Sequence, residues 1–144
     1  MTRIAVVYHS DTGNTEKMAR LVAEGAQAAG VDVDVVRAAD ADVPAVVEAD
    51  ALALGSPDYY SYMAGELKTF FDRAFHHKSK LSGKPYGAFG SHGGGAKVVG
   101  TIEKLAQAIG MVQACPGVLS LKEPEAADAE ACRKLGRTLA QAAR

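Results

Sequence analysis

The apolar run Ile4-Ala5-Val6-Val7-Tyr8 leads directly into Ser10-Asp11-Thr12-Gly13-Asn14-Thr15, and a helical pattern opens near Glu16. Strand, polar turn and helix in immediate succession is the unit from which parallel sheets are built. Such a turn aims free backbone N–H groups and the positive end of a helix dipole at one point, while Ser10, Thr12 and Thr15 add hydroxyls and Asn14 an amide. The natural occupant is a phosphate. Gly13 permits close backbone approach or a positive φ. With no Lys or Arg inside, the loop differs from the GxxxxGK[ST] nucleoside-triphosphate loop and suits one monophosphate held by neutral donors. The same residues also read as an ordinary strand-to-helix turn with an Asn or Thr cap.

The remaining chain repeats this theme. Val31, Val33 and Val35 alternate with Asp32 and Asp34, as in an edge strand with one wet face, whereas Ala51-Leu52-Ala53-Leu54 is apolar throughout and suits a central strand covered on both sides. Tyr86 to Phe89 supplies a fourth strand; Met111-Val112 and Val118 to Leu121 supply a fifth, interrupted at Pro116-Gly117 because proline lacks a donor. Helical stripes fall between them, at Met18 to Ala29, Met63 to Phe75 and Val98 to Ile109, with a short helix over Val43 to Glu48 and a last one from Pro124. Alternation of this kind predicts an α/β fold, a three-layer, doubly wound, five-stranded parallel sheet in the order 2-1-3-4-5, formed by one domain over residues 1–144. Ligands of such sheets bind beyond the carboxyl ends of the strands, at the switch between strands 1 and 3. The loops Ser10 to Thr15, Ser56 to Met63 and Ser91 to Gly95 converge there.

Composition excludes several classes. A formal net charge of −1 lacks the basic excess that nucleic acid or an anionic membrane surface selects. Cys115 and Cys132 share no CxxC spacing and read as small buried hydrophobes of a reducing compartment. The apolar start is too short for a signal peptide or membrane span, so a cytoplasmic location is expected. Adjacent His76 and His77 point about 100° apart on a helix and do not share a metal. No GxGxxG fingerprint is present.

The second and third loops narrow the ligand. In Gly55-Ser56-Pro57-Asp58-Tyr59-Tyr60-Ser61-Tyr62-Met63, three tyrosines fall within four residues after the most buried strand. Aromatic side chains at a loop tip are costly to leave wet, and a planar heteroaromatic ring stacked on Tyr59 or Tyr60 buries both surfaces. In Ser91-His92-Gly93-Gly94-Gly95 the glycines let the backbone approach the ring edge and donate N–H groups. The alternatives are an exposed interaction patch for the tyrosines and a flexible turn for the glycines.

These residues resemble the flavodoxin-like FMN proteins. Ser10 to Thr15 looks like the flavodoxin phosphate loop, while Gly55-Ser56-Pro57, Met63 to Asp72 and Gly93-Gly94-Gly95 are similar to the FMN-dependent NAD(P)H:quinone oxidoreductase branch. The resemblance spans Ile4 to about Val112. It implies FMN as cofactor, with Ser10, Thr12, Asn14 and Thr15 on the phosphate, Asp11 and Gly13 completing that loop, Pro57, Asp58, Tyr59, Tyr60, Ser91, His92, Gly93 and Gly94 framing the isoalloxazine ring, and Ser56 also among the cofactor-binding residues. No metal site is implied. The sequence departs from the pattern in three ways. Its pI near 6.4 lacks the strong acidity of soluble carriers; it is too short for the segments that help the quinone-reductase branch form tetramers; and Asp58 stands where that branch often has a neutral hydroxyl residue.

The function implied is a redox protein passing electrons between a reductase and an acceptor, either a partner protein or a small molecule such as a quinone, as a monomer or small homo-oligomer. The alternative is an NAD(P)H:quinone-type oxidoreductase in which His92 or a tyrosine helps protonate the acceptor. A receiver-type signalling domain shares the strand order, with Asp58, Ser91 and Lys122 near its functional places. Tyr8-His9-Ser10 lacks the acidic residues its magnesium site needs.

Overall fold

The computed structural model describes residues 1–144. Strand β1 (Arg3–Tyr8) lies between β2 (Asp32–Arg37) and β3 (Ala51–Pro57), in parallel register with Val6 opposite Val35 on one side and Ala53 on the other. Strand β4 (Pro85–His92) pairs with β3, completing the predicted order from β2 to β4. The fifth position is shared. Strand β5 (Val112–Gln113) pairs with the first two residues of β4, and β6 (Val118–Leu121) pairs with Phe89 to His92, so the sheet has six strands rather than five. The gap contains Pro116, where the ladder loses a donor.

Period-two alternation along β1 distributes its side chains to two cores. Ala5 and Val7 join one cluster with Leu67, Phe70 and Ile102, whereas Ile4, Val6 and Tyr8 join another with Met18, Val22, Leu135 and Leu139. The first is covered by α3 (Gly65–Ala74) and α5 (Val98–Ile109), preceded in the chain by a one-turn α2 (Val43–Val46) and separated by a one-turn α4 (Lys78–Leu81). The second is covered by α1 (Asn14–Ala28) and α6 (Ala126–Ala143). These two helices touch backbone to backbone: a Cβ on Gly25 would overlap the Arg133 carbonyl, and one on Gly136 would overlap that of Val22. Helix α6 begins two residues after Pro124, with a reciprocal cap in which Asp128 accepts the Glu125 N–H at 3.0 Å and Glu125 accepts the N–H of Asp128.

Cys132 is buried as expected, and burial pushes its thiol up to about 12. Cys115 is only half-buried, at the interruption of the fifth strand position. His76 and His77 lie in a short 3-10 turn beyond α3 and are not buried. No helix is long and apolar enough to cross a membrane.

Candidate functional site

Helix α1 starts at Asn14, two residues earlier than the expected opening near Glu16, so the polar loop and the first helical turn are one structure. Gly13 takes φ +96°, a conformation that favours glycine, and its N–H donates to Ser10 Oγ at 3.1 Å. The first bond of the helix runs from Lys17 N–H to the Gly13 carbonyl. The N–H groups of Asn14, Thr15 and Glu16 therefore have no acceptor within the helix, and no side chain caps them. They supply the donors and positive partial charge that an anion requires.

A cleft of about 210 Å³ extends from this turn across the carboxyl ends of the strands. Thr12 and Asn14 line one part of it; Pro57, Asp58, Tyr59, Ser91, His92, Gly93 and Lys122 line the rest. The three predicted loops thus meet. Ser10, Asp11, Gly13, Thr15, Ser56, Tyr60 and Gly94 do not line the cleft.

Several predicted contacts have other work. Thr15 is buried, and its hydroxyl lies 2.8 Å from Ser91 Oγ, joining α1 to β4, so its side chain is not a free donor of the loop. Ser56 is fully buried; its hydroxyl donates to the Pro57 carbonyl and accepts the Ala64 N–H, both at 2.8 Å. Asp58 is a cap: Oδ2 accepts the N–H groups of Lys97 at 2.7 Å and Val98 at 3.0 Å, and Oδ1 accepts that of Ser61 at 2.8 Å. Its carboxylate satisfies the start of α5, which has no cap of its own, and ties the second loop to the third. The unexpected acidic residue is explained by those three donors. Ser91 and His92 belong to the end of β4 rather than to a loop. His92 Nδ1 accepts the Gly94 N–H at 3.0 Å, which shapes the turn, and Gly94 has φ +143°.

The tyrosines separate by backbone geometry. Tyr59 and Tyr62 exchange backbone bonds of 2.8 and 3.1 Å around Tyr60 and Ser61, whose φ values are +55° and +66°. Positive φ at both central positions is the mark of a type I′ turn, a conformation that costs a residue with a side chain. It leaves Tyr60 fully exposed at the tip and brings Tyr59 to the cleft wall. The Tyr59 hydroxyl donates to the Asp11 carboxylate. Partial burial and this bond hold the phenol's proton, pushing its pKa up to about 12, and the same bond holds Asp11 below its ordinary range.

Three residues enter that the sequence alone did not single out for this site. Lys122 lines the cleft just beyond β6, where it takes φ +58° and donates its N–H to the His92 carbonyl. Arg37, at the end of β2, donates to the Ser10 carbonyl and lies over the Tyr8 ring. His9 is buried between Asp11 and Glu66. Position after a strand end was the available signal for Lys122 and His9.

FMN fits this donor set. A single anionic group matches the unpaired N–H groups at the start of α1 together with the Thr12 and Asn14 side chains. A planar ring matches the wall formed by Tyr59 and the Gly93 backbone, where a Cβ would meet nothing within 4 Å.

Comparison with known proteins agrees with the geometry. The Flavodoxin family model matches residues 6–136. A flavodoxin of Aquifex aeolicus is 34% identical over 98% of this chain and 86% of its own length. A solved flavodoxin structure from the domain Archaea superposes with a TM-score of 0.93 over 99% of both chains at 30% identity. An NAD(P)H dehydrogenase (quinone) of Caulobacter vibrioides is 33% identical, over only 65% of this chain and 60% of its own. With the loop, the sheet order and the length of the match all in agreement, this chain belongs to the flavodoxin family.

Proposed function

We propose that this flavodoxin-family protein carries electrons between a reductase and an acceptor with FMN held in the cleft beyond β1, β3 and β4. The observation that carries the reading is the uncapped start of α1 opening into the same cleft as Tyr59 and Gly93. When bound, FMN supplies the one- and two-electron chemistry. The chain's own residues bind and orient it. Thr12, Asn14 and the N–H groups of residues 14–16 take the phosphate; Tyr59 and Pro57 offer an apolar wall to the ring; Gly93 leaves room for backbone contact at its edge; and Lys122 adds a cation to the rim. Asp58 keeps the second and third loops in register, so these groups arrive prearranged.

The test compares FMN with riboflavin. Removing one hydrogen bond to a charged group costs roughly 1.5 to 3 kcal/mol, so Thr12→Ala should weaken FMN by about ten- to a hundredfold while leaving riboflavin nearly unchanged. Equal losses for both ligands would refute the phosphate assignment. The match to a quinone dehydrogenase favours a second reading, direct NAD(P)H oxidation. Holoprotein that consumes NAD(P)H without an added reductase, in the presence of a quinone, would establish it.

A further inference from the structure

We infer that His9 is a positioning residue of the cofactor cleft, an imidazolium that bridges Asp11 and Glu66 and offsets the negative charge that the phosphate loop itself carries. The inference rests on the FMN reading above. Backbone placement of His9 is rigid, because its N–H extends the β1–β3 ladder to the Gly55 carbonyl at 3.1 Å. Alternation along β1 sends Tyr8 toward the α1/α6 core and the next side chain toward α3. There Nδ1 lies 2.8 Å from Glu66 Oε2 and Nε2 lies 3.2 Å from Asp11 Oδ1, with the residue 7% exposed.

A neutral imidazole has one donor and one acceptor nitrogen. Both neighbours here are carboxylate oxygens, which accept only: Glu66 is hydrogen-bonded to Nδ1, and Asp11 stands at ion-pair distance from Nε2, an arrangement that suits a ring protonated at both nitrogens. The groups facing the ring come from three places: Asp11 in the loop, Glu66 from α3 and Tyr59 from the turn after β3; Arg37, at the end of β2, acts on Asp11 through its charge. Two carboxylates are then balanced by one imidazolium and one guanidinium. Without a positive charge at position 9 the cluster would stand at net −1, with Asp11 adjacent in sequence to Thr12 of the phosphate cradle. Asp11 also accepts from the Tyr59 hydroxyl, and the Tyr59 ring meets the imidazole edge-on at 6.0 Å, so the same bridge fixes the tyrosine wall. His9 thus aligns the first and second loops and keeps a neighbouring carboxylate from opposing the incoming phosphate.

Two measurements test this. Long-range 1H–15N spectra of the holoprotein at neutral pH should show both His9 ring nitrogens protonated; one bare nitrogen overturns the proposal, and this experiment needs no substitution. FMN and riboflavin titrations of the unaltered chain, His9→Gln, Asp11→Asn and the double variant provide the second. His9→Gln should weaken FMN by about tenfold, the scale of one unbalanced contact of ~1.4 kcal/mol, with riboflavin little affected. In the Asp11→Asn background the same substitution should have a clearly smaller effect on FMN, because the carboxylate next to the phosphate cradle is gone and only Glu66, on α3, is left unbalanced. An equal loss in both backgrounds, or an equal loss for both ligands, assigns His9 a purely structural role and refutes the proposal. If the unaltered chain binds riboflavin as tightly as FMN, the phosphate reading itself fails, a result distinguishable from either outcome of the variant cycle.

Discussion

The hydroxyls of Thr15 and Ser91 lie 2.8 Å apart, both buried, joining the first turn of α1 to the last residues of β4. This bond sets the first turn of α1 against the strand that leads into the Gly93–Gly95 turn, two of the elements that bound the cleft. Thr15→Ala leaves the Ser91 hydroxyl buried without its partner and should destabilise the apoprotein by about 1 to 3 kcal/mol. Thr15→Ser should retain most of the stability. Urea unfolding of the apoprotein checks both, and an unchanged midpoint for Thr15→Ala would show the bond to be dispensable.

Asp58 accepts three backbone N–H groups across two loops. Replacing a cap by alanine costs about 0.5 to 2 kcal/mol. Asp58→Ala should fall in that range and speed hydrogen exchange at Lys97 and Val98, while exchange in β1 stays as it was. Uniform acceleration over the whole chain would mean that the effect is global rather than a lost cap.

Helices α1 and α6 approach so closely at Gly25 and Gly136 that a single methyl group meets backbone atoms. Backbone cannot yield as a flexible side chain can. Gly25→Ala and Gly136→Ala should each destabilise by roughly 1 to 3 kcal/mol or more, the scale of overpacking. Thermal unfolding followed by circular dichroism measures this; Gly100→Ala, in α5 with open space at its Cβ, is the control and should not be destabilised.

Tyr59 holds its phenolic proton up to about 12, against an ordinary 10, through partial burial and its bond to Asp11. A group whose folded pKa is raised contributes stability that is present below the unfolded value and lost as pH rises through the folded one. For Tyr59 that window runs from about pH 10 to 12. Asp11, held low chiefly by the Tyr59 hydroxyl, behaves oppositely: its contribution is present at neutral pH and lost as the solution becomes acidic enough to protonate it. The stability difference between the unaltered chain and Tyr59→Phe should therefore be largest near neutrality and narrow at both extremes. Denaturant midpoints across pH measure it, and a constant difference would refute the coupling.

What could be read from the chain alone was whatever has a local period. Alternating valines at 31, 33 and 35 marked the edge strand, continuous burial at residues 51–54 marked a central one, and the run from Ser10 to Thr15 marked the turn beneath a helix. The break at Pro116 correctly foretold a divided fifth strand position. These signals need only neighbours in sequence, because side-chain direction repeats every two residues in a strand and every 3.6 in a helix.

Only the tertiary structure decided what each polar side chain in the loops does. Asp58 acts as a cap because the start of α5, some forty residues later, arrives beside it. Ser56 and Thr15 turn inward because Ala64 and Ser91 need partners there. Of two adjacent tyrosines, Tyr59 forms the wall because a turn with two positive φ values points Tyr60 into solvent. His9 gained significance only when Glu66, far along the chain, met its ring. Residue type and spacing therefore determined the sheet, its order and the edge at which the three polar loops converge. The partner of each hydroxyl, carboxylate and imidazole was set by folding, because a short polar side chain bonds whatever donor or acceptor the fold brings within about 3 Å, and sequence separation carries no information about that.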